Sequence, residues 1–324
     1  MTLRVRLALG LVAMVGIGPL ATTGVVRLLH HGGPVGAVLL AGLLSTLAVA
    51  LLVSRFVHKP VLVWLETESR ARAQHQFLEG EMAVARRIQS SMLPRTLNAP
   101  GLEVSARTLA AEEVGGDYYD VLPTDNGAWI GIGDVAGHGL PAGIIMLTIQ
   151  SAIAALTRDK PDAAPREILA PLNHVIYENI HHRLEIYEFA TLSLIRFFHD
   201  GRLVIAGAHE DVIVYRAGTG QIDTLPTSGT WIGVVNDIGA ATVDSEHRLE
   251  QGDVMVLFTD GVTEASDSRG HPFGFERLCA AVTAMGREPT DRIVAHVMEQ
   301  VQAWSPRLAD DVSVVALRYL GPPG

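Results

Sequence analysis

Aspartate residues stand at the ends of several apolar segments, at the points where a strand meets a turn. Asp134 and Asp260 each follow an apolar run and are followed within three residues by a glycine. Asp117 opens another apolar segment directly after two glycines, and the adjacent pair Asp310 and Asp311 opens the last one. A carboxylate at the end of a buried strand, beside a turn whose backbone allows close approach, is suited to holding a hard metal ion.

The ligand set that these residues predict contains oxygen atoms only, which suits Mg²⁺ or Mn²⁺ rather than zinc. Two such ions, roughly 3.5–4 Å apart, activate a bridging water and clamp a phosphate group, so no covalent nucleophile is needed. The sequence shows no Ser/His/Asp or Cys/His set, and the adjacent histidines at 30–31 and 181–182 cannot chelate as histidines one helical turn apart do. Taken alone, each aspartate is better explained as a turn or helix-cap residue, whereas four such sites in one domain favour a metal centre.

The composition divides the chain into a basic N-terminal part and an acidic body. Of the formal net charge of −10, residues 1–100 contribute +6, from ten Arg or Lys and four Glu residues, which leaves −16 for the rest. Negative charge of this size argues against a polyanionic partner, so we expect no nucleic-acid binding. The 324 residues are 48% hydrophobic, which is high for a wholly soluble protein, and the single cysteine, Cys279, excludes an intramolecular disulfide.

Two long uncharged segments lie in the N-terminal part, at residues 7–26 and 32–54. Each is long enough to cross a bilayer core of roughly 30 Å as a helix, and the short link predicts a transmembrane hairpin covering residues 1–58. A signal peptide is the alternative for the first segment, but a second span follows it directly. Four basic residues flank the hairpin and one lies in its link, so the positive-inside rule predicts a multi-pass protein of the cell (inner) membrane with N-terminus and body in the cytoplasm.

The sequence of residues 59–94 predicts a cytoplasmic stalk helix, which ends at Pro94. Its apolar positions recur at an average spacing of 3.5 residues, which is typical of a coiled-coil seam. They are Leu78, Met82, Ala85, Ile88 and Met92. The pattern favours a parallel homodimer whose stalk carries a signal from the membrane to the body, although a helix packed on its own domain would show a similar face.

Between residues 101 and 320 the pattern changes to short strands interrupted by helix pairs. Strands are predicted at 102–109, 117–122, 128–134, 189–198, 201–208, 212–217, 221–225, 247–249, 254–259 and 312–319. Helices are predicted at 141–156, 165–182, 275–285 and 291–304. Runs of strands separated by helix pairs argue for an α+β domain, and the simplest packing is an α-β-β-α sandwich with helices outside two sheets.

Four motifs in this domain resemble the signature blocks of the bacterial metal-dependent (PPM-type) serine/threonine phosphatases, and specifically of their SpoIIE-like branch. They are VGGDYYD at 114–120, GDVAGHG at 133–139, FTDGVTEA at 258–265 and DDVS at 310–313. The segment AVARRIQSSMLP at 83–94 also resembles the lead-in helix of that branch. The resemblance covers roughly residues 80–320 and implies the PPM-type fold.

The resemblance implies a centre of two Mn²⁺ or Mg²⁺ ions that hydrolyses phosphoserine or phosphothreonine on a protein. The metal ligands it implies are Asp117, Asp134, the backbone carbonyl of Val135, Asp260 and Asp310, with Asp311 as second choice to Asp310. Asp134 would bridge both ions, and catalysis would depend on Asp134 and Asp260. Because the branch dephosphorylates small anti-sigma-factor antagonists, the resemblance implies a phosphorylated cytoplasmic protein of that kind as substrate.

Some features depart from the family pattern or stay open. The block that resembles Asn-Ala-Gly-His-x-Pro reads AGAHED here, at 206–211, so its Asn and Pro are absent. His138, in the turn after Asp134, is a candidate general acid, or alternatively a turn residue that supports the metal loop. Two other functions stay open for the domain, namely a phosphatase-like binding module without turnover and another two-metal phosphohydrolase.

Overall fold

The computed structural model describes residues 35–92, 97–111 and 114–323, together with the single positions 23, 26, 27 and 30. The chain divides into two compact units, Met1–Glu81 and Met82–Gly324, which are described separately. The boundary between the units falls inside the stalk predicted at 59–94. Apart from positions 23 and 26, the first predicted span, 7–26, lies outside the described residues.

The N-terminal unit is helical throughout residues 35–81. Helix α1, Val35–Val53, carries no charged side chain. A segment of wider π-helical winding, Ser54–His58, joins it to helix α2, Lys59–Met92, which continues into the second unit. The first charged residue after α1 is Arg55, so the change from apolar to polar sequence coincides with the π-helical segment.

Among the described helices, Leu140–Asp159 passes a test of length and apolarity for crossing a membrane, and a shorter apolar stretch covers Gly42–Phe56. Leu140–Asp159, helix α3, buries Ile145, Ile149 and other side chains in a hydrophobic cluster that it shares with strand residues of the second unit. It is therefore a core helix of that unit. The second predicted span, 32–54, overlaps α1, which contains most of the shorter stretch.

In the described part of the second unit, ten strands form two antiparallel five-stranded sheets. The first sheet contains, in spatial order, β1 Leu102–Leu109, β10 Val312–Tyr319, β9 Val254–Phe258, β6 Val212–Tyr215 and β7 Ile222–Leu225. The second sheet contains β2 Tyr118–Thr124, β3 Gly127–Val135, β4 Ala190–Phe198, β5 Arg202–Ala208 and β8 Ser245–Arg248.

Helices cover the outer face of each sheet, and the inner faces form a common core. Helices α3 and α4, Pro165–Glu178, pack on the second sheet, while α6, Phe275–Met285, and α7, Thr290–Trp304, pack on the first. Along β3, Ile130 lies in the core between the sheets and Trp129 lies under the helices, because successive side chains of a strand point to opposite faces. The predicted α+β class and the α-β-β-α sandwich are confirmed.

Two element ends differ from the sequence prediction close to the candidate site. The helix predicted at 165–182 ends its regular winding at Glu178, and a π-helical turn, Asn179–Leu184, follows it. Glu185 closes this turn in the left-handed region, with φ of 53°. A short helix that the apolar pattern does not indicate, α5 Asp260–Glu264, begins directly after β9 and carries Asp260 in its first turn.

Candidate metal centre

Three aspartates from distant parts of the sequence meet at one end of the sandwich. Asp134 lies near the end of β3, Asp260 follows β9, and Asp310 precedes β10. Since β9 and β10 are antiparallel neighbours, the end of one strand lies beside the start of the other. One ligand oxygen from each of the three carboxylates lies within 4.8 Å of the other two. This spacing allows the three side chains to bind a single metal ion together.

The electrostatics of the group fit a cation. Burial, followed by repulsion from Asp260 and Asp310, raises the pKa of Asp134 to about 8. Burial also raises the pKa of Asp260, with further contributions from Asp310 and Glu264. Carboxylates held this close oppose one another's ionisation, and a divalent ion would relieve that repulsion. The oxygen-only donor set is the one that Mg²⁺ and Mn²⁺ prefer.

Asp117 lies beside these three carboxylates without joining their group. It is buried at the start of β2, and Oγ1 of Thr259 donates a hydrogen bond of 3.0 Å to its Oδ2. Burial raises the pKa of Asp117 well above its ordinary value, and the charges of Asp134 and Asp311 add to that shift. The preceding residue, Gly116, is so close to Asp134 that a Cβ there would lie 2.7 Å from the Asp134 Oδ1 atom.

The backbone carbonyl of Val135 lies at the same point. A Cβ on Gly116 would come within 2.6 Å of that oxygen, and the Val135 N–H donates a 3.3 Å hydrogen bond to the Gly116 carbonyl. The missing side chain at Gly116 therefore leaves open the space between the Asp134 carboxylate and the Val135 carbonyl. The family resemblance implies Asp134, the Val135 carbonyl and Asp117 as metal ligands, and these three groups lie near one another at this point.

The adjacent pair Asp310 and Asp311 divides into an exposed and a buried carboxylate. Asp310 belongs to the group of three and accepts a 2.8 Å hydrogen bond from the Asp311 N–H. Asp311 is buried, and its Oδ1 accepts a 2.8 Å hydrogen bond from the Ala111 N–H. The arrangement favours Asp310 as the ligand and gives Asp311 a part in holding the neighbouring loops.

His138 is exposed in the turn that follows β3 and is not a member of the carboxylate group. Both roles proposed for His138, general acid and support of the turn, therefore stay predictions. A residue beside the carboxylate group, Thr259, has a clearer place. Thr259 is fully buried between Asp117 and Ser313, whose N–H donates a 3.0 Å hydrogen bond to the Thr259 hydroxyl. Its position directly before Asp260 was the available signal.

His209, noted in the sequence only as part of an altered motif, lies between the two sheets. Its Nδ1 is 2.8 Å from Oγ1 of Thr191, and its Nε2 is 3.0 Å from the carbonyl oxygen of Phe258. The neighbouring Glu210 is half-buried near Asp260, and burial together with that charge raises its pKa. The altered motif thus brings a histidine and a carboxylate close to the metal loops.

The sandwich, with carboxylates gathered at one end of its two sheets, is the arrangement of the PPM-type phosphatase class. A model of the family described as Stage II sporulation protein E (SpoIIE) matches residues 124–320. The chain belongs to the SpoIIE family of metal-dependent serine/threonine phosphatases.

Relatives of known activity or structure match most of the chain. Phosphoserine phosphatase RsbU of Bacillus subtilis (strain 168) is 27% identical over 256 residues, which cover 76% of this chain and 72% of RsbU. The SiaA-PP2C domain of Pseudomonas aeruginosa has a TM-score of 0.65 at 20% identity and covers 76% of this chain and 99% of that domain. The PP2C phosphatase domain of SpoIIE from Bacillus subtilis, solved with a fragment of its regulatory domain, has a TM-score of 0.54 at 19% identity and covers 67% and 63%. At these identities the two structures show the fold.

Proposed function

We propose that this chain is a membrane-anchored phosphatase that hydrolyses phosphoserine or phosphothreonine on a cytoplasmic signalling protein. The observation that carries the proposal is the convergence of Asp134, Asp260 and Asp310, whose ligand atoms lie within 4.8 Å of one another. Membership of the SpoIIE family supports the reaction class, and the match to a phosphoserine phosphatase over most of its length supports the bond that is cleaved.

Two divalent ions fit the residues present. Asp134, Asp260 and Asp310 would hold one ion, and Asp134, the Val135 carbonyl and Asp117 would hold the other. Mn²⁺ or Mg²⁺ bound there would supply an activated water and neutralise charge on the phosphate.

The protein's own part is to fix the ligands. Burial of Asp117 and the hydrogen bond from Thr259 hold one carboxylate in a single orientation. Tight packing of glycine backbone keeps the loops together, since a Cβ at Gly261 would overlap the Asp311 carbonyl oxygen.

The proposed substrate is a phosphorylated anti-sigma-factor antagonist, by the family resemblance. The surroundings of the site are compatible with a phosphorylated side chain on a protein rather than a polyanion. Glu210 and Glu264 add negative charge near Asp260, and the residues after position 100 carry a formal charge of −16. Such a field opposes the approach of nucleic acid.

The membrane anchor and the stalk are the second part of the proposal. Leucines of α1 are exposed in the single chain, at 58–69% of their surface, which suits a helix surrounded by lipid. They are Leu40, Leu43, Leu44, Leu47 and Leu51. Ile88, on the predicted seam of α2, is 53% exposed, so its apolar surface is available for a second copy of the stalk. We infer that a dimeric stalk transmits the input to the phosphatase domain.

Phosphate release by the full chain in detergent tests the proposal, with an aryl phosphate and a phosphoserine peptide as substrates. We expect release that requires Mn²⁺ or Mg²⁺, stops with a chelator, and is lost in Asp260→Asn. No release and no Mn²⁺ binding would support the binding-module alternative, whereas Mn²⁺ binding without release from either substrate would indicate an enzyme held inactive without its partner. Release from a nucleotide but not from the phosphopeptide would support the other two-metal phosphohydrolase.

A further inference from the structure

A chain of neutral hydrogen-bonding groups links β3, which carries Asp134, to β9, the strand that leads to Asp260. The hydroxyl oxygen of Thr191 lies 3.3 Å from both the backbone nitrogen and the backbone oxygen of Asp134, its partner across β3 and β4. The same oxygen lies 2.8 Å from Nδ1 of His209, and Nε2 of His209 lies 3.0 Å from the Phe258 carbonyl oxygen. Phe258 is the last residue of β9.

The direction of these hydrogen bonds follows from chemistry. A carbonyl oxygen only accepts, so the Phe258 contact requires a hydrogen on Nε2 of His209. In the neutral ring Nδ1 is then an acceptor, and the Thr191 hydroxyl donates to it. The Thr191 oxygen is left to accept from the Asp134 N–H. With the ring neutral, each contact in the chain therefore has one donor and one acceptor. The other neutral tautomer would leave Nε2 and the Phe258 carbonyl oxygen facing each other as two acceptors.

The neutral ring is consistent with its surroundings. Removal from water lowers the pKa of His209 to about 4, against the opposing effect of its hydrogen bond to Phe258. The backbone of His209 is also fixed, because its N–H donates a 3.1 Å hydrogen bond to Oγ1 of Thr227, whose hydroxyl donates in turn to the His209 carbonyl. The imidazole is thus held from its own backbone and from both ends of the ring.

We infer that Thr191 and His209 are positioning residues, which set the separation of the Asp134 and Asp260 carboxylates and thereby the affinity of the site for metal. The two aspartates are carried by different sheets, Asp134 within β3 and Asp260 just after β9, and they are 126 residues apart in sequence. His209 directly follows β5 of the second sheet, and its ring contacts the backbone of β9 in the first sheet. This inference rests on the ligand assignment of the proposed function and adds residues that the metal would never contact.

Conservative replacements separate the hydrogen bonds from the packing. Thr191→Val has nearly the same shape without the hydroxyl, and Thr191→Ser restores the hydroxyl. His209→Gln keeps a donor able to reach Phe258 and loses the acceptor for Thr191, whereas His209→Asn does the reverse. A matched control is Thr157→Val on α3, where a buried hydroxyl bonds the Ile153 carbonyl at 2.7 Å, on the outer helical layer.

The measurement is Mn²⁺ binding to the full chain in detergent by titration calorimetry, with melting temperature and aryl-phosphate kinetics measured in parallel. Residues that orient metal ligands typically change affinity by about 10–100-fold. We expect Thr191→Val and both His209 variants to weaken Mn²⁺ binding by at least ~10-fold. We expect Thr191→Ser to stay within about twofold of the parent, and kcat at saturating Mn²⁺ to recover in Thr191→Val, since the ligands themselves are intact.

Two results would overturn the inference. The first is an unchanged Mn²⁺ affinity in Thr191→Val and in the His209 variants that fold, together with a lowered melting temperature. That result would show that these residues stabilise the fold without positioning the metal ligands. The other is an equal loss of affinity in Thr157→Val, which would make the effect one of general destabilisation. Because binding is measured without turnover, a parent that binds Mn²⁺ but releases no phosphate still tests the positioning role, so failure of the proposed activity and failure of this inference are distinguished.

Discussion

Gln89 and Gly115 hold each other by two hydrogen bonds across 26 positions of sequence. The side-chain nitrogen Nε2 of Gln89 donates to the Gly115 carbonyl oxygen at 2.6 Å, and the Gly115 N–H donates to Oε1 of Gln89 at 3.1 Å. Gln89 is 8% exposed, although Arg87 and Ile88 beside it are exposed. Gly115 in turn packs so closely on Asp311 that a Cβ would overlap its Oδ2 atom. The last turns of α2 are therefore tied to the loop that leads to Asp117.

The first prediction concerns this pair. Gln89→Ala removes both partners of the Gly115 peptide groups, and leaving such groups unsatisfied costs about 1–3 kcal/mol. We expect the loop before Asp117 to loosen and Mn²⁺-dependent phosphate release to fall by about tenfold, as for other residues that orient ligands. The control is Arg87→Ala on the exposed face of the same helix. Equal activity of the two variants would show that the tie is irrelevant to the site.

The second prediction concerns the carboxylates themselves. Asp134→Asn and Asp260→Asn should abolish Mn²⁺ binding and lower activity by more than the ~10–100-fold typical of residues behind the ligands. The metal-free fold should persist and melt at an equal or higher temperature, because repulsion within the group of three is reduced. Calorimetry and circular dichroism melts measure both effects. Near-parent turnover of either variant in excess Mn²⁺ would falsify the ligand assignment.

The third prediction concerns pH. The pKa of Asp134 is raised to about 8 from an ordinary 3.8, so the folded metal-free chain holds a proton that the unfolded chain has released between these values. The stability that this carboxyl contributes is fully present below about pH 4 and is lost as pH rises through about 8. A metal must displace the proton, so Mn²⁺ affinity should rise with pH up to about 8, by at most ~10-fold per unit for one proton.

Titration calorimetry at pH 6, 7 and 8, in buffers of different ionisation enthalpy, measures the number of protons released. Melting temperatures of the metal-free chain over the same pH range measure its stability, which should fall as pH rises. Asp134→Asn should flatten that stability trend. A parent affinity that does not change between pH 6 and 8 would show that Asp134 is already ionised before the metal binds.

The fourth prediction concerns the stalk. Ile88→Lys places a charge on the predicted seam and should shift the full chain in detergent toward the monomer, of 34.7 kDa protein mass, because a buried lysine disfavours the paired helices. Val84→Lys, at an exposed position off the seam, is the matched control. Light scattering with correction for detergent gives the protein mass. An unchanged mass in Ile88→Lys, or an equal change in both variants, would show that the predicted seam does not hold a dimer together.

Much of the fold could be read from local pattern. The alternation of Trp129, Ile130 and Ile132 along β3 indicates a strand with two buried faces. Glycines within three residues of Asp117, Asp134 and Asp260 indicate turns there. These signals depend on neighbours within a few residues, so they survive without tertiary information. The short helix Asp260–Glu264 was missed because five residues are too few to show a period.

The sequence by itself determined the types of residue at the site and the strand ends that carry them, since both follow from side-chain chemistry and short-range pattern. The residue pattern alone could not choose between Asp310 and Asp311, because adjacent identical residues differ only in what the fold places beside them, and the preference for Asp310 came from the family resemblance. Nor did it indicate that His209 contacts both Thr191 and Phe258. The first contact depends on the antiparallel register of β4 and β5, and the second depends on the stacking of one sheet over the other, so only the tertiary structure decided them.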